Sequence, residues 1–89
     1  MLPFSVQQSG HRLYYQDVGP SDGPVVVLVH GLVSDSSTWS PAIAALAERG
    51  MRVIAPDLLG HGVSDKPPST PVHYSLDGFA RSVRDLLVA

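Results

Sequence analysis

An unbroken run of β-branched and leucine residues, Val25–Val29, is the feature that most constrains how this chain can fold. A turn-forming segment of glycine, proline, serine and aspartate precedes the run over residues 19–24, and His30 and Gly31 follow it. A strand with one face in water alternates apolar and polar residues, whereas a strand covered on both faces does not. The run therefore predicts a central strand of a parallel sheet.

The residues after this run predict a strand–helix–strand unit. Ser40 is placed to cap a helix and Pro41 suits its first turn, because proline needs no hydrogen-bond partner for its nitrogen there. Good helix formers fill residues 42–49, and Gly50 can end the helix in the left-handed conformation. Met51–Ala55 is a second apolar segment of strand length. A parallel pair joined by a helix is the expected arrangement.

Two further predictions concern the segments on either side of this unit. Phe4–Gln8 and Arg12–Val18 are short extended segments that we expect to form a hairpin turning at Ser9-Gly10. A long loop over residues 56–74 follows the second strand, and loops of this length in compact domains are usually functional or disordered. Ser75 then caps a helix whose apolar positions recur at helical spacing, namely Leu76, Phe79, Ala80, Val83, Leu86 and Leu87.

Composition excludes several classes of function. The 89 residues carry a net charge of −2 and no lysine- or arginine-rich run, which removes the electrostatic footprint of a nucleic-acid binder. There is no cysteine, so disulfides and thiolate catalysis are excluded. No apolar run approaches the roughly 18 residues of a membrane span, and the first residues do not resemble a signal peptide. We expect residues 1–89 to form one small cytoplasmic domain, or a piece of a larger one, with no membrane partner.

The second helix reaches Val88-Ala89 without a glycine, a proline or a basic residue that would satisfy its last carbonyl groups. A frayed terminus is one explanation. The other is that the domain is incomplete, because a strand such as Val25–Val29 at the margin of a small sheet would expose backbone groups and apolar side chains that native proteins normally protect. We expect an incomplete domain.

Three motifs together resemble the α/β-hydrolase family. Val25–Leu32 with Ser37 and Trp39 is similar to the third strand of that fold and the loop after it. Asp57–Pro67 is similar to the loop after the fourth strand, and Tyr74–Leu76 to the start of the helix that precedes the nucleophile strand. The resemblance implies an α/β fold class, specifically the N-terminal part of an α/β-hydrolase sheet: a β-hairpin, then strand–helix–strand, then a helix.

The resemblance also implies which residues would serve catalysis. In this family two backbone N–H groups stabilise the negative charge that develops on the substrate carbonyl oxygen, and one comes from the loop after the third strand. By position that donor is the N–H of Leu32. Gly31 would let the backbone approach the substrate, although a tight turn would also favour glycine. Val33 and Trp39 are candidate substrate contacts, with packing under the helix start as the alternative for Trp39.

The other catalytic groups of the family have no match in this sequence. Ser64 lies in Gly62–Lys66, which lacks the second glycine of the Gly-x-Ser-x-Gly motif and has no strand before it, so we interpret Ser64 as a turn residue. The histidines show none of the spacings of metal motifs, and no metal or cofactor is predicted. The resemblance implies that Asp57 and Asp65 organise loops. We interpret His30 and His61 as structural, hydrogen-bonded packing residues.

The expected substrate class is inferred from the residues at two positions, Leu32 and Val33. Haloalkane dehalogenases tend to carry a polar residue where this chain has Leu32, and epoxide hydrolases favour proline where it has Val33. The sequence therefore favours an esterase-like hydrolase acting by nucleophilic acyl transfer on a small-molecule substrate, with this chain inactive alone. The alternative is a non-catalytic protein of partial fold that works by pairing its exposed strand edge with a partner chain. That edge would pair with the missing C-terminal part or self-associate.

Overall fold

The computed structural model describes residues 3–7, 10–31, 34–67 and 75–88. The described chain forms four strands, two helices and a short 3-10 turn. In chain order these are β1 (Phe4–Val6), β2 (Arg12–Val18), β3 (Val25–Val27), the 3-10 turn (Ser36–Trp39), α1 (Ser40–Glu48), β4 (Arg52–Pro56) and α2 (Leu76–Val88).

The four strands form one mixed sheet in the order β1-β2-β4-β3. β1 and β2 are antiparallel, as are β2 and β4, whereas β3 and β4 are parallel with Val26 opposite Val53. The predicted hairpin and the predicted strand–helix–strand unit are therefore both confirmed. The predicted turn residue Ser9 lies outside the described residues, and its neighbour Gly10 has a φ of 87°.

β4 divides the core into two apolar clusters, because successive side chains of a strand point to opposite faces of the sheet. On one face, Val53 and Ala55 pack with Ile43 of α1. On the other face, Ile54 belongs to a cluster completed by Leu13, Leu59 and Leu86. This second cluster brings α2 onto the face of the sheet opposite α1.

β3 differs from the prediction of a central strand. Only Val25–Val27 has strand geometry, and β3 lies at the edge of the described sheet, with Val25 54% and Val29 43% exposed. No strand among the described residues pairs with its outer side. Within the described residues this strand thus lies at the margin of the sheet.

The start of α1 also differs from the prediction. Ser40 is the first helical residue and not the cap, because the 3-10 turn occupies the preceding four positions. The Asp35 carboxylate accepts the Ser37 N–H at 2.9 Å at the start of that turn, and the Ser40 hydroxyl donates back to the Ser37 carbonyl at 2.9 Å. Pro41 lies in the first helical turn and Gly50 ends the helix with a φ of 85°, as predicted.

α2 begins as the sequence predicts, with the Ser75 hydroxyl accepting the Gly78 N–H at 3.0 Å. Its buried residues are Gly78, Ser82 and Leu86, one turn apart. Of the predicted apolar stripe only Leu86 is buried, while Leu76 is 89% exposed. The two small residues allow close packing of the helix, and the described elements cover only part of the apolar stripe.

Candidate functional site

The loops that follow β3 and β4 meet at the carboxyl ends of these two parallel strands, where open α/β sheets place their ligands. His30, only 4% exposed, lies between the loops. Its Nε2 accepts the N–H of Leu58 at 2.9 Å, and its Nδ1 lies 2.6 Å from the carbonyl oxygen of Gly31. The prediction that His30 is a hydrogen-bonded structural residue is confirmed.

His61 extends this contact toward α2. Its ring lies 5.0 Å from the His30 ring and 6.0 Å from that of Phe79, the latter edge-on. Nδ1 of His61 is 3.1 Å from the Leu59 carbonyl oxygen, to which it can donate. His61 therefore packs between the loop after β4 and α2.

Asp57 organises both loops through its carboxylate. One oxygen accepts the Ser36 N–H at 2.7 Å and the other accepts the Val63 N–H at 3.0 Å. The side chain is buried, so these two bonds replace water for the carboxylate and for both amides. Gly62 turns beside it with a φ of 53°, and a Cβ there would lie 2.2 Å from the carboxylate. The predicted loop-organising role of Asp57 is confirmed.

Ser64 and Asp65 attach the same loop to β2. The buried Ser64 hydroxyl accepts the Tyr14 N–H at 2.8 Å and donates to the Asp57 carbonyl. Asp65 accepts the Arg12 N–H at 2.8 Å, a hydrogen bond that lowers the pKa of its carboxyl. Both side chains therefore satisfy backbone groups, as the sequence predicts.

A cavity of about 360 Å³ opens between the two loops and the start of α2. Its lining is mainly apolar, and a Cβ built on Gly31 would meet no atom within 4 Å. The packing of α2 brings Ser75, Leu76 and Phe79 to this cavity. The sequence analysis did not connect these residues with the site, although Phe79 follows Ser75 and Leu76 by about one helical turn. The lining residues are Val29, His30, Gly31, Leu58, Ser75, Leu76 and Phe79.

The remaining predicted site residues are Leu32, Val33 and Trp39. Leu32 and Val33 lie outside the described residues. Trp39 is half-buried against the cluster of Ile43 and Val53, on the α1 side of the sheet. It is not among the residues that line the cavity, so the structure supports its packing role, and its contact with a substrate stays a prediction.

Within the four described ranges, no group of three or more histidine and carboxylate side chains is arranged to hold a metal ion. No helix in the same ranges is long and apolar enough to cross a membrane.

The chain matches a family model over residues 24–89, and the description of that family is the α/β hydrolase fold. The match covers most of the chain. The protein therefore belongs to the α/β-hydrolase family, as the three motifs of its sequence predicted.

Several relatives share sequence with it. The chain is 46% identical over 78 residues to an uncharacterized protein of Mycobacterium tuberculosis, an alignment that covers 88% of this chain and 21% of that protein. It is 52% identical over 56 residues to a haloalkane dehalogenase of Mycobacterium marinum, covering 63% and 19% of the two chains. The chain thus spans about a fifth of the length of these curated relatives.

Among solved structures, an esterase from Exiguobacterium antarcticum superposes with a TM-score of 0.86 at 28% sequence identity. The superposition covers 99% of this chain and 31% of the esterase. The predicted fold class is confirmed.

Proposed function

We propose that this chain forms part of an esterase-like α/β-hydrolase that acts on carboxylic esters or related acyl compounds. The observation that carries the proposal is the open position of Gly31 at an apolar cavity beside the end of β3. Gly31 has no positive φ and no neighbour that a Cβ would strike, so neither strain nor packing requires glycine there. Close approach of a substrate to the backbone would favour a residue without a side chain at this position.

The chemical contribution of the chain is one backbone donor. Acyl transfer places negative charge on the carbonyl oxygen of the substrate, and a preorganised N–H group stabilises that charge. Leu32 follows Gly31 directly and supplies this N–H in the proposal. The second donor, the nucleophile, the acid and the catalytic histidine come from residues outside this sequence, so the 89 residues are inactive alone.

The cavity supplies the apolar part of substrate binding. Val29, Leu58 and Phe79 contribute apolar surface to it, while Ser75 adds a hydroxyl that already caps α2. Mostly apolar clefts with few polar groups are typical of small-molecule sites.

Two substitutions of Leu32 in the complete hydrolase test the role of its N–H. Leu32→Pro removes the amide hydrogen, and we expect kcat for a chromogenic ester such as p-nitrophenyl butyrate to fall about 10²–10³-fold, the usual effect of losing one such donor. Leu32→Ala keeps the amide hydrogen and is the matched control, with kcat expected within a few-fold of the parent. Equal kcat values for the two variants, with both folded by circular dichroism, would contradict the assignment.

The reading frame beyond the codon for Ala89 tests the reaction class. A strand followed by Gly-x-Ser-x-Gly within a few tens of residues is the expected continuation for a serine-type enzyme. An aspartate in place of that serine would contradict the serine-type reaction. A stop codon together with no ester turnover by the chain would contradict an enzymatic role.

A second candidate function follows from the similarity to a haloalkane dehalogenase. Release of halide from a short haloalkane, measured beside ester hydrolysis with the same complete protein, separates the two. Halide release without ester turnover would favour this candidate over the esterase-like one.

A non-catalytic role is the remaining candidate, and the exposed edge of β3 is the observation that favours it. In this role β3 accepts an extended segment of a partner chain, which would extend the sheet by main-chain hydrogen bonds. A stop codon after Ala89 and a stable complex formed through β3 are its expected signatures.

A further inference from the structure

We propose that the cavity between the loops after β3 and β4 and the start of α2 binds the acyl group of the substrate as an alkyl chain, and that Leu76 and Phe79 determine the length of chain it accepts. Both residues lie in the first turn of α2 and line the cavity. This assignment rests on the proposed function, because it specifies the acyl part of the ester on which the complete enzyme acts.

The polar groups of the cavity lining are already engaged within the protein, which disfavours a polar acyl group. Ser75 and His30 are the lining residues whose side chains carry polar atoms. The Ser75 hydroxyl accepts the Gly78 N–H, and the two ring nitrogens of His30 face the Leu58 N–H and the Gly31 carbonyl. A polar acyl chain would lose its water on entering and find at most the Ser75 hydroxyl as a partner. An alkyl chain needs no partner.

Leu76 carries apolar surface that the other described elements leave in water. Its side chain lines the cavity although the residue is 89% exposed, and Val29 on the opposite side is 43% exposed. An alkyl chain bound between them would remove apolar surface of both residues from water. Each methylene group that is buried in this way strengthens binding about fourfold. We therefore expect kcat/KM to rise with chain length until the cavity is full.

Phe79 is held in place, so it forms a fixed part of the cavity wall. Its ring meets the His61 ring edge-on at 70°, with 6.0 Å between the centroids, and such contacts fix the orientation of both rings. Nδ1 of His61 is in turn 3.1 Å from the carbonyl oxygen of the buried Leu59. A preformed wall selects ligands by size. The volume of about 360 Å³ is small for a ligand site and favours a short acyl chain.

The complete hydrolase tests the assignment with a series of p-nitrophenyl esters from acetate to decanoate. Phe79→Ala should move the chain length with the highest kcat/KM upward by about two to four carbons, because a removed ring leaves space that the structure only partly closes. Leu76→Trp should move it in the opposite direction, toward acetate, because the larger side chain narrows the cavity. Leu76 is exposed, so this second change should have little effect on folding.

A control variant and a control substrate accompany the series. Leu87→Ala removes a half-exposed apolar side chain about two turns further along α2, where the residue does not line this cavity, and the preferred chain length should not change. An isosteric ester that carries an ether oxygen in place of one methylene group should react with a kcat/KM about fivefold or more below that of the alkyl ester.

NMR of the complete hydrolase with sodium octanoate locates the chain without any turnover. We expect nuclear Overhauser effects from the alkyl protons to the Phe79 ring and the Leu58 methyl groups, and none to Leu87. This measurement uses the parent protein, so it decides the position of the chain even where Phe79→Ala does not fold.

Three results would overturn the assignment. The first is the same preferred chain length in the parent, Phe79→Ala and Leu76→Trp, which is the outcome expected if a segment outside these 89 residues fills the cavity. The others are an ether ester that reacts as well as the alkyl ester, and octanoate without contact to Phe79.

The two proposals can fail separately. Ester turnover with an unchanged preferred chain length would leave the proposed function standing and contradict the role of Leu76 and Phe79. Octanoate bound against Phe79 in a complete protein without ester turnover would leave the alkyl site standing and contradict the proposed function.

Discussion

At the scale of single residues, the loop after β4 owes its shape to side chains that hydrogen-bond to backbone groups. Asp57 and Ser64 are buried, and each satisfies groups from a distant segment: Ser36 for the carboxylate and Tyr14 for the hydroxyl. An unsatisfied buried donor costs about 1–3 kcal/mol. These polar contacts therefore determine a loop conformation that apolar packing alone would leave open.

Two glycines in this region allow a matched comparison. Gly62→Ala should lower the free energy of unfolding by about 1–3 kcal/mol, because the residue has a φ of 53° and its new Cβ would strike the Asp57 carboxylate. Gly31→Ala should change it by no more than about 0.5 kcal/mol, because the position has neither constraint. Urea unfolding followed by Trp39 fluorescence measures both.

The variants Gly31→Ala and Gly62→Ala also test the proposed role of Gly31 in substrate binding. If the backbone at Gly31 approaches the substrate, Gly31→Ala should lower kcat/KM of the complete hydrolase while stability is unchanged. A Gly31→Ala variant that loses as much stability as Gly62→Ala would show that packing, and not substrate approach, explains this glycine.

At the scale of elements, the junction of β2 and β4 combines backbone pairing with an ion pair. The Arg52 guanidinium donates to both carboxylate oxygens of Asp17, at 2.9 and 2.6 Å. Hydrogen bonding to Arg52 is the main reason why the pKa of Asp17 lies below its usual value. Such a two-bond contact is stronger and more directional than a simple ion pair.

The pH dependence of stability should reveal this contact. A carboxyl whose pKa is lowered by folding stabilises the folded state above its unfolded pKa of about 3.9, and that contribution is lost as pH falls through the lower folded pKa. The Tm difference between the parent and Asp17→Asn should therefore be largest at pH 5–7 and shrink below about pH 4.

Asp22→Asn, in the exposed turn before β3, is the control, and its Tm difference should stay small throughout. A Tm difference for Asp17→Asn that is constant from pH 7 to pH 2.5 would contradict the assigned role of the ion pair.

At the scale of the whole molecule, the described sheet ends at β3. The Leu28 amide and the Pro24 carbonyl bond to β4, so by the alternation of a strand the backbone groups of Val25, Val27 and Val29 face outward. Apolar edges of this kind pair readily with other chains. The net charge of −2 offers little repulsion between copies.

We therefore expect the 89-residue chain to self-associate through β3. Sedimentation velocity at tens of micromolar should show dimers or larger species, and the double substitution Val25→Lys and Val29→Lys should shift them toward monomer. Val63→Lys makes the same change at an exposed loop position and should not. A chain that is monomeric before any substitution, with a cooperative melt, would contradict the expectation.

The sequence by itself determined the elements whose signals are local. The bounds of β2, the left-handed end of α1 at Gly50 and the cap of α2 at Ser75 are all as predicted, because each depends on contacts within a few residues. Ser40 shows the limit of such signals, since Asp35 five residues earlier starts a 3-10 turn and takes over the capping role. Three motifs in order also sufficed to predict the family.

Only the tertiary structure decided how the site is assembled. The Leu58 partner of His30 is 28 residues away in sequence, Ser36 lies 21 residues from Asp57, and Tyr14 lies 50 from Ser64. Hydrophobic periodicity predicts which face of an element is buried, but not which polar groups of two distant loops come within hydrogen-bond distance. The run Val25–Val29 shows both the local and the tertiary contribution. Its residues specify a strand, whereas its burial depends on the segment that pairs with its outer edge.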